Sequence, residues 1–342
     1  MANKAQPEEA ARRVDAGFFA RLARADQGYI VAAILVSIVL LAALTLDGFG
    51  STTNLLNAAR SSSTLGILAI GMTVVVIARG LDLSVVAIMG ITSAFAVQRV
   101  IEGDAQVPSL LIAGLVAVLL GLVNGFLVAY VEIPPLFVTL ATSLLYLGLF
   151  RMEFLPTEIA TVPSEATWMR RLGRGDVLGI PGPVLLFVGI AGLMAWLLTR
   201  NAGRYLYAIG DNPDAARLAG LPIRPLTVAT YLLSAVLGFI GGVTLVSVSG
   251  SFDLRTVAAG TLLFDVVAVV VIGGVSLAGG RGNVFGVACA ALLIGVIGNV
   301  MTLLNFDTIQ QSLAKAFIVM LAIVLDSALH PRDEETARVG EL

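Results

Sequence analysis

The sequence predicts an all-α polytopic membrane protein of about ten transmembrane helices, with both termini on the cytoplasmic side. Composition is the first reason: 58% of the 342 residues are hydrophobic and 13% charged, about half the ~25% charge of a soluble domain. Mean hydropathy, the second, is +0.95. Third, apolar runs approaching the ~20 residues that a ~30 Å hydrocarbon core requires recur from residue 27 to residue 326. Ten crossings use about 200 residues, close to everything that 58% of 342 supplies, so no soluble domain fits.

The clear runs are 27–46, 61–78, 105–131, 177–199, 225–252 and 282–306. Shorter ones are 83–98, 133–150, 266–280 and 316–325. Together, 27–326 reads as one transmembrane domain between polar tails, 1–26 and 327–342. The first run ends at Asp47 with no small-x-small cleavage site, so it reads as an uncleaved first span. Counting ten crossings from an inside N-terminus puts thirteen Lys and Arg inside and seven outside, which favours both ends inside, against the four Arg that 151–176 then holds outside.

Two polar segments interrupt the runs. Segment 151–176 carries Pro156, Pro163, Trp168 and charges of both signs; it reads as a periplasmic loop with a short interfacial helix. Segment 200–224 reads as a cytoplasmic loop around a short capped helix. Asn212 suits the N-cap, Pro213 the first helical position and Asp214 the positive helix end, while Gly220 suits a left-handed stop. Pro222 and Pro225 then bar continuation. With Arg204, Arg217 and Arg224 near it, this helix is either a docking element or an ordinary connector.

Gly and Pro gather beside the shorter runs, as at Pro134-Pro135, Gly273-Gly274 and Gly279-Gly280; such residues break membrane helices or let them approach closely. Val74–Ile77 and Val269–Ile272 form a weak internal echo, each before a Gly-containing break. Ionisable residues near membrane depth are few: Asp82, Glu132, Asp265, Asp307 and Lys315. Each is a functional candidate, because an unpaired charge in hydrocarbon costs several kcal/mol.

Several chemistries are excluded. A net charge of −2 gives no field for nucleic acid. One His (His330) and one Cys (Cys289) cannot build a zinc cluster or an internal disulfide, and no Ser-His or Cys-His pair lies in the core. Neither lysine, Lys4 or Lys315, follows a Gly-rich run, so no phosphate-binding loop exists and the chain carries no ATPase of its own. No Asp/Glu/His relay is visible, which weighs against the competing reading, an ion-coupled secondary sugar transporter. An intramembrane enzyme and a purely structural scaffold are the remaining alternatives.

Four motifs, spread in order over about residues 60–326, resemble the permease subunits of bacterial ABC importers for ribose, xylose, arabinose, galactose and related sugars. The first is Gly80-Leu81-Asp82-Leu83-Ser84. The second is Asn124-Gly125 followed by Ile133-Pro134-Pro135-Leu136-Phe137-Val138-Thr139-Leu140. Gly203-Arg204-Tyr205-Leu206-Tyr207-Ala208-Ile209-Gly210, leading into Asn212 and Ala215–Gly220, is the third. Asp265, Ile272-Gly273-Gly274 and Gly279-Gly280-Arg281-Gly282 form the fourth. Arg79 and Asp211 stand where the family usually has Gly, Val86 replaces another Gly, and Val275 stands where Thr is common. The related branched-chain amino-acid permeases lack the third motif in this form, which favours sugar.

The resemblance implies a type II importer permease in the bacterial inner membrane, itself not an enzyme and binding no cofactor. ATP and Mg would be bound by a tandem-cassette ATPase on the cytoplasmic face. A second permease copy or paralogue would complete a dimer around a central path, and a periplasmic binding protein would deliver the sugar. Arg204, Asp211, Asn212, Pro213, Asp214, Arg217 and Gly220 are implied as the ATPase-coupling residues. Asp82, Ser84, Asn124, Pro134, Pro135, Thr139, Asp265, Gly273, Gly274, Gly280 and Arg281 are implied to line or support the path.

Overall fold

A computed structural model describes residues 27–153, 158–164, 166–258 and 260–329. The expected N-terminal tail and His330 lie outside them. Each of the ten apolar runs is a helix: α1 Gln27–Thr45, α2 Thr52–Ile77, α3 Val85–Ile101, α4 Gln106–Ala129, α5 Pro135–Glu153, α7 Gly182–Thr199, α10 Ile223–Ser249, α12 Thr261–Ile272, α13 Val284–Leu303 and α14 Thr308–Leu329. Four short helices stand between them: α6 Thr167–Arg174, α8 Asn201–Asp211, α9 Pro213–Leu218 and α11 Leu254–Ala258. Among the described residues, seven helices are long and apolar enough to cross a membrane, and α3 and α12 are shorter apolar helices. Gly28 of α1 abuts Gly286 near the start of α13, and Asn54 at the start of α2 bonds Asn299 near the end of α13. α1 and α13 therefore run parallel and α2 runs antiparallel to both, and the bundle has two distinct ends.

Helices α2, α12 and α14 show why helix ends depart from the ends of the apolar runs. Helix α2 begins nine residues before its run, because the chain stays helical through Arg60 from a Ser51 N-cap that accepts the Asn54 amide at 3.3 Å. Helix α12 ends at Ile272 rather than 280, since Gly273 caps it and Gly274 turns left-handed at φ 82°. Helix α14 starts at Thr308, so Lys315 lies inside the helix instead of bracketing it, and it runs three residues into the expected C-terminal tail. Asp307 and Gln310 form a reciprocal cap at its start: the Gln310 amide reaches Asp307 Oδ1 at 2.8 Å, and the Asp307 amide reaches Gln310 Oε1 at 3.0 Å.

Helix polarity follows position in the bundle. α2 is the central helix, with 89% of its most apolar stretch buried at a mean hydropathy of only 1.6. α1 and α4 reach 2.5 yet are 17% and 28% buried. The order is physical: a helix wrapped by protein can carry Ser62, Ser63 and Thr73, whose hydroxyls bond backbone carbonyls four residues back. A helix facing acyl chains cannot afford many such groups. α10 packs against α2, α3 and α4, and one continuous apolar core runs through these helices, α12 and α13.

The echo between Val74–Ile77 and Val269–Ile272 has a structural counterpart. Both segments end a helix in the same left-handed turn: Arg79 N bonds Val76 O and Gly80 N bonds Val75 O, while Gly274 N bonds Val271 O and Val275 N bonds Val270 O. Arg79 adopts φ 67° at the position matching Gly274, a strained geometry for a residue with a Cβ.

At the end of the bundle opposite α9, the described part of the 151–176 segment packs against α10. The short helix expected there is α6, and Gly173 brings its backbone onto Ser247 of α10. β1 (Ile159–Thr161) pairs antiparallel with β4 (Ser251–Asp253), while β2 (Asp176–Val177) pairs with β3 (Ile180–Pro181). Arg255 bonds the Asp253 carboxylate through its side chain at 3.0 Å, which holds that acid below its usual range.

Helix α12 meets α13 backbone to backbone. A Cβ on Gly273 would sit 2.7 Å from Val287 Cα. Gly273→Leu is therefore expected to lower the detergent melting temperature by the equivalent of about 1–3 kcal/mol of overpacking. Gly189→Leu, where a Cβ meets nothing within 4 Å, should leave it unchanged; equal melting of the two variants would refute the close contact.

Candidate functional site

Two clusters gather the residues singled out by sequence. The first is a buried polar node around Asp82, in the link between α2 and α3. Asp82 is 1% exposed. Its Oδ1 accepts the Ser84 amide at 2.9 Å and the Ser84 hydroxyl at 2.6 Å, and its Oδ2 accepts the Ser234 hydroxyl of α10 at 2.7 Å. Ser84 Oγ in turn accepts Asn124 Nδ2 of α4 at 2.7 Å, and Asn124 Oδ1 accepts the Tyr146 hydroxyl of α5 at 3.0 Å. Thr139 of α5 donates to Leu81 O at 3.2 Å and to Pro135 O at 2.9 Å. Among the described residues no cation pairs with Asp82, so hydrogen bonds alone satisfy its carboxyl group.

The node joins α4, α5 and α10 to one turn of chain. It is built for positioning: Asp82, Ser84, Asn124 and Thr139 are all buried and each finds a hydrogen-bond partner there. Pro134 and Pro135 set the start of α5, where Pro134 O accepts the amides of Phe137 and Val138. Asp82, Ser84, Asn124 and Thr139 were each legible as candidates; Ser234 and Tyr146 were not. The Gly80–Ser84 motif marks a turn, but nothing local in α10 marks a serine 152 residues away as its partner.

The second cluster lies at the bundle end carrying α8 and α9. Asn212 caps α9, its Oδ1 accepting the Ala215 amide at 2.9 Å. Pro213 occupies the first turn, and Gly220 adopts φ 77°. The helix stands out from the bundle: Asp214, Arg217 and Gly220 are exposed, as are Arg204, Asp211 and Asn212, while Ala216 anchors it from beneath. Leu218 is 91% exposed, an apolar side chain offered outward. Asp214 and Arg217 approach only to 3.8 Å, a weak surface pair.

This exposed helix is fastened to the membrane helices through backbone contacts. Gly210 at the end of α8 touches Ile77 O, and the Gly280 amide donates to the same carbonyl at 2.9 Å. A Cβ on Gly280 would lie 2.8 Å from the Asp211 amide. Tyr207 of α8 donates its hydroxyl to Gly282 O at 2.7 Å. The end of α2, the end of α8 and the 273–282 loop thus form one knot, with α9 directly beyond it. Gly273, Gly274 and Gly280 belong to this loop, and Arg281 is exposed on it. Beside α9 a cavity of about 300 Å³ is lined in part by Arg79, Glu132, Arg217 and Arg224. Arg224 bridges Glu132 at 2.7 Å, tying the end of α4 to the start of α10.

Asp265 belongs to neither cluster. It pairs with Lys315 of α14 at 2.8 Å, toward the other end of the bundle. The pairing explains how a lysine is tolerated inside an apolar helix.

The family described as the permease component of a branched-chain amino acid transport system matches residues 54–325. The chain belongs to that family. It is similar to the ribose import permease of Haemophilus influenzae, 32% identical over 310 residues covering 89% of this chain and 93% of the relative. Likeness to the ribose import permease of Escherichia coli strain K12 is 33% over 299 residues, covering 86% and 92%. The xylose transport system permease of Haemophilus influenzae is 30% identical over 364 residues, covering 88% and 96%. No solved structure matches. The chain is an ABC permease, a transport component and a multi-pass protein of the inner membrane, and its family implies an ATPase and a binding protein as companions.

The node predicts a stability phenotype. Asp82→Ala strands the Ser84 amide and the Ser84 and Ser234 hydroxyls and is expected to cost about 3 kcal/mol, at roughly 1 kcal/mol per lost bond. Asp82→Asn, which keeps an acceptor, should cost less. Detergent melting curves check the order; an alanine variant as stable as the parent would contradict it.

Proposed function

We propose that this chain is the membrane-spanning subunit of an ATP-driven type II importer for a sugar, a pentose, hexose or related polyol. The ribose and xylose permeases among its relatives support the solute class. In this reading the ten helices α1–α5, α7, α10 and α12–α14 all cross the bilayer, and both termini face the cytoplasm. Residues 151–176 are then periplasmic and 200–224 cytoplasmic. Two permeases, identical or paralogous, surround the path. A periplasmic binding protein delivers the solute, and a tandem-cassette ATPase binds ATP and Mg at the cytoplasmic face, leaving this chain without a cofactor.

The observation that carries the proposal is α9. A capped six-residue helix with Leu218 and Arg217 exposed is a poor connector and a good docking element. Arg204, Asp211, Asn212, Pro213, Asp214, Arg217 and Gly220 form or shape that surface. Its motion has a route inward: the Gly210–Ile77–Gly280 knot passes displacement of α9 to the end of α2 and to the α12–α13 loop. Five residues past Ile77 the chain enters the Asp82 node, which ties that end of α2 to α4, α5 and α10. ATP-driven closure of the ATPase would thus reposition several helices together, as alternating access requires.

Arg217→Glu is expected to leave membrane insertion intact while uptake falls at least tenfold and solute-stimulated ATP hydrolysis is lost. Purification of the tagged parent in mild detergent should retain a two-cassette ATPase, and the variant should lose it. Normal solute-stimulated hydrolysis in the variant would overturn the docking role.

A further inference from the structure

On α5 the polar side chains turn inward: Thr139, Thr142 and Tyr146 are buried while Leu136, Phe137, Leu140 and Leu144 are exposed. Helices α12 and α14 differ from α5. Thr308, Gln311, Ser312 and Lys315 fall at helical spacings of three and four, so they share one face of α14. Thr261 and Asp265 share one face of α12. These two faces meet in an open cleft of about 600 Å³, whose wall Phe264, Val267, Ala316 and Met320 make largely apolar around the polar groups. The Asp265–Lys315 pair lies within it, with side chains 20% and 25% exposed.

Depth and charge narrow what the cleft faces. Asp265 is four residues past the start of α12 and Lys315 seven past the start of α14, about 6 and 10 Å along each helix. Both helices start at the end opposite α9, the periplasmic end in the proposed reading. A charged pair at that depth is costly against acyl chains, whereas it is tolerated beside water. Its charges cancel, which suits a neutral ligand. The surrounding hydroxyl and amide groups supply donors and acceptors for a polyhydroxylated one, although Ser312 also bonds Thr308 O and Gln311 also bonds Phe306 O.

We infer that the α12–α14 cleft is this chain's wall of the solute path on the periplasmic side, where the Asp265–Lys315 pair and the adjoining hydroxyl and amide groups receive a neutral polyhydroxylated solute. This rests on the importer reading for its direction. It assigns Lys315, Gln311 and Ser312 to the path, and it separates Asp265 from the structural glycines.

Cysteine labelling tests it, because Cys289 is the chain's single cysteine and is buried away from the cleft. In a Cys289→Ala background, Ser312→Cys and Leu313→Cys are compared in right-side-out vesicles of the intact transporter. The probe is a membrane-impermeant, positively charged methanethiosulfonate. Cys at 312 should react at least tenfold faster than at 313, although Leu313 is 74% exposed. Modification at 312 should also lower pentose uptake at least fivefold while ATP hydrolysis continues. Equally slow labelling at both sites, or full uptake after complete modification at 312, would overturn the inference. ATP-driven uptake by the Cys289→Ala parent is read in the same vesicles. Its absence would count against the importer reading, while reagent access still decides whether the cleft is aqueous.

Discussion

The Asp82 carboxylate is the interaction on which the rest of the structure depends. A buried acid with no cation partner is costly unless hydrogen bonds surround it. Here Ser84 and Ser234 bond it directly, and Asn124 and Tyr146 extend the chain of bonds. Because these groups come from α4, α5, α10 and the α2–α3 link, the node fixes the relative positions of helices that apolar contacts alone would leave free to slide. In a membrane, where lipid competes equally well for apolar surface, such polar ties carry more of the specificity than they would in water.

The node also sits in the right place to matter for transport. It follows immediately after the left-handed turn that ends α2, and that turn touches Gly210 and Gly280. The exposed helix α9 is therefore two backbone contacts from the centre of the bundle. Rigid backbone contacts transmit displacement because they cannot be absorbed by side-chain rotation. Glycine is required at Gly210 for this reason: any side chain there would separate the surfaces that must touch.

The ten apolar runs were legible because lipid imposes composition directly, and each run is a helix. Their ends were less legible. Arg60 and Lys315 broke the runs, yet both lie within helices: Arg60 bonds Asn57 one turn earlier, and Lys315 finds Asp265. A charge ends an apolar run without ending a helix. The α9 caps were fully legible, since Asn212, Pro213 and Gly220 act through local backbone geometry. Ser234 and Tyr146 were hidden, because their partners lie 152 and 22 residues away and serine in an apolar helix usually bonds its own preceding turn. The Gly210–Gly280 contact was half visible: the glycines marked a close approach, and the sequence did not say to what.

Uptake in proteoliposomes tests the central claim, that force enters from a cytoplasmic partner through α9, most directly. The chain would be reconstituted with its ATPase and binding protein, and labelled pentose uptake compared under internal ATP and under a proton or sodium gradient without ATP. The account predicts uptake with ATP alone, and none from either gradient. Gradient-driven uptake by the chain without its ATPase would contradict it and make the ion-coupled transporter the correct reading.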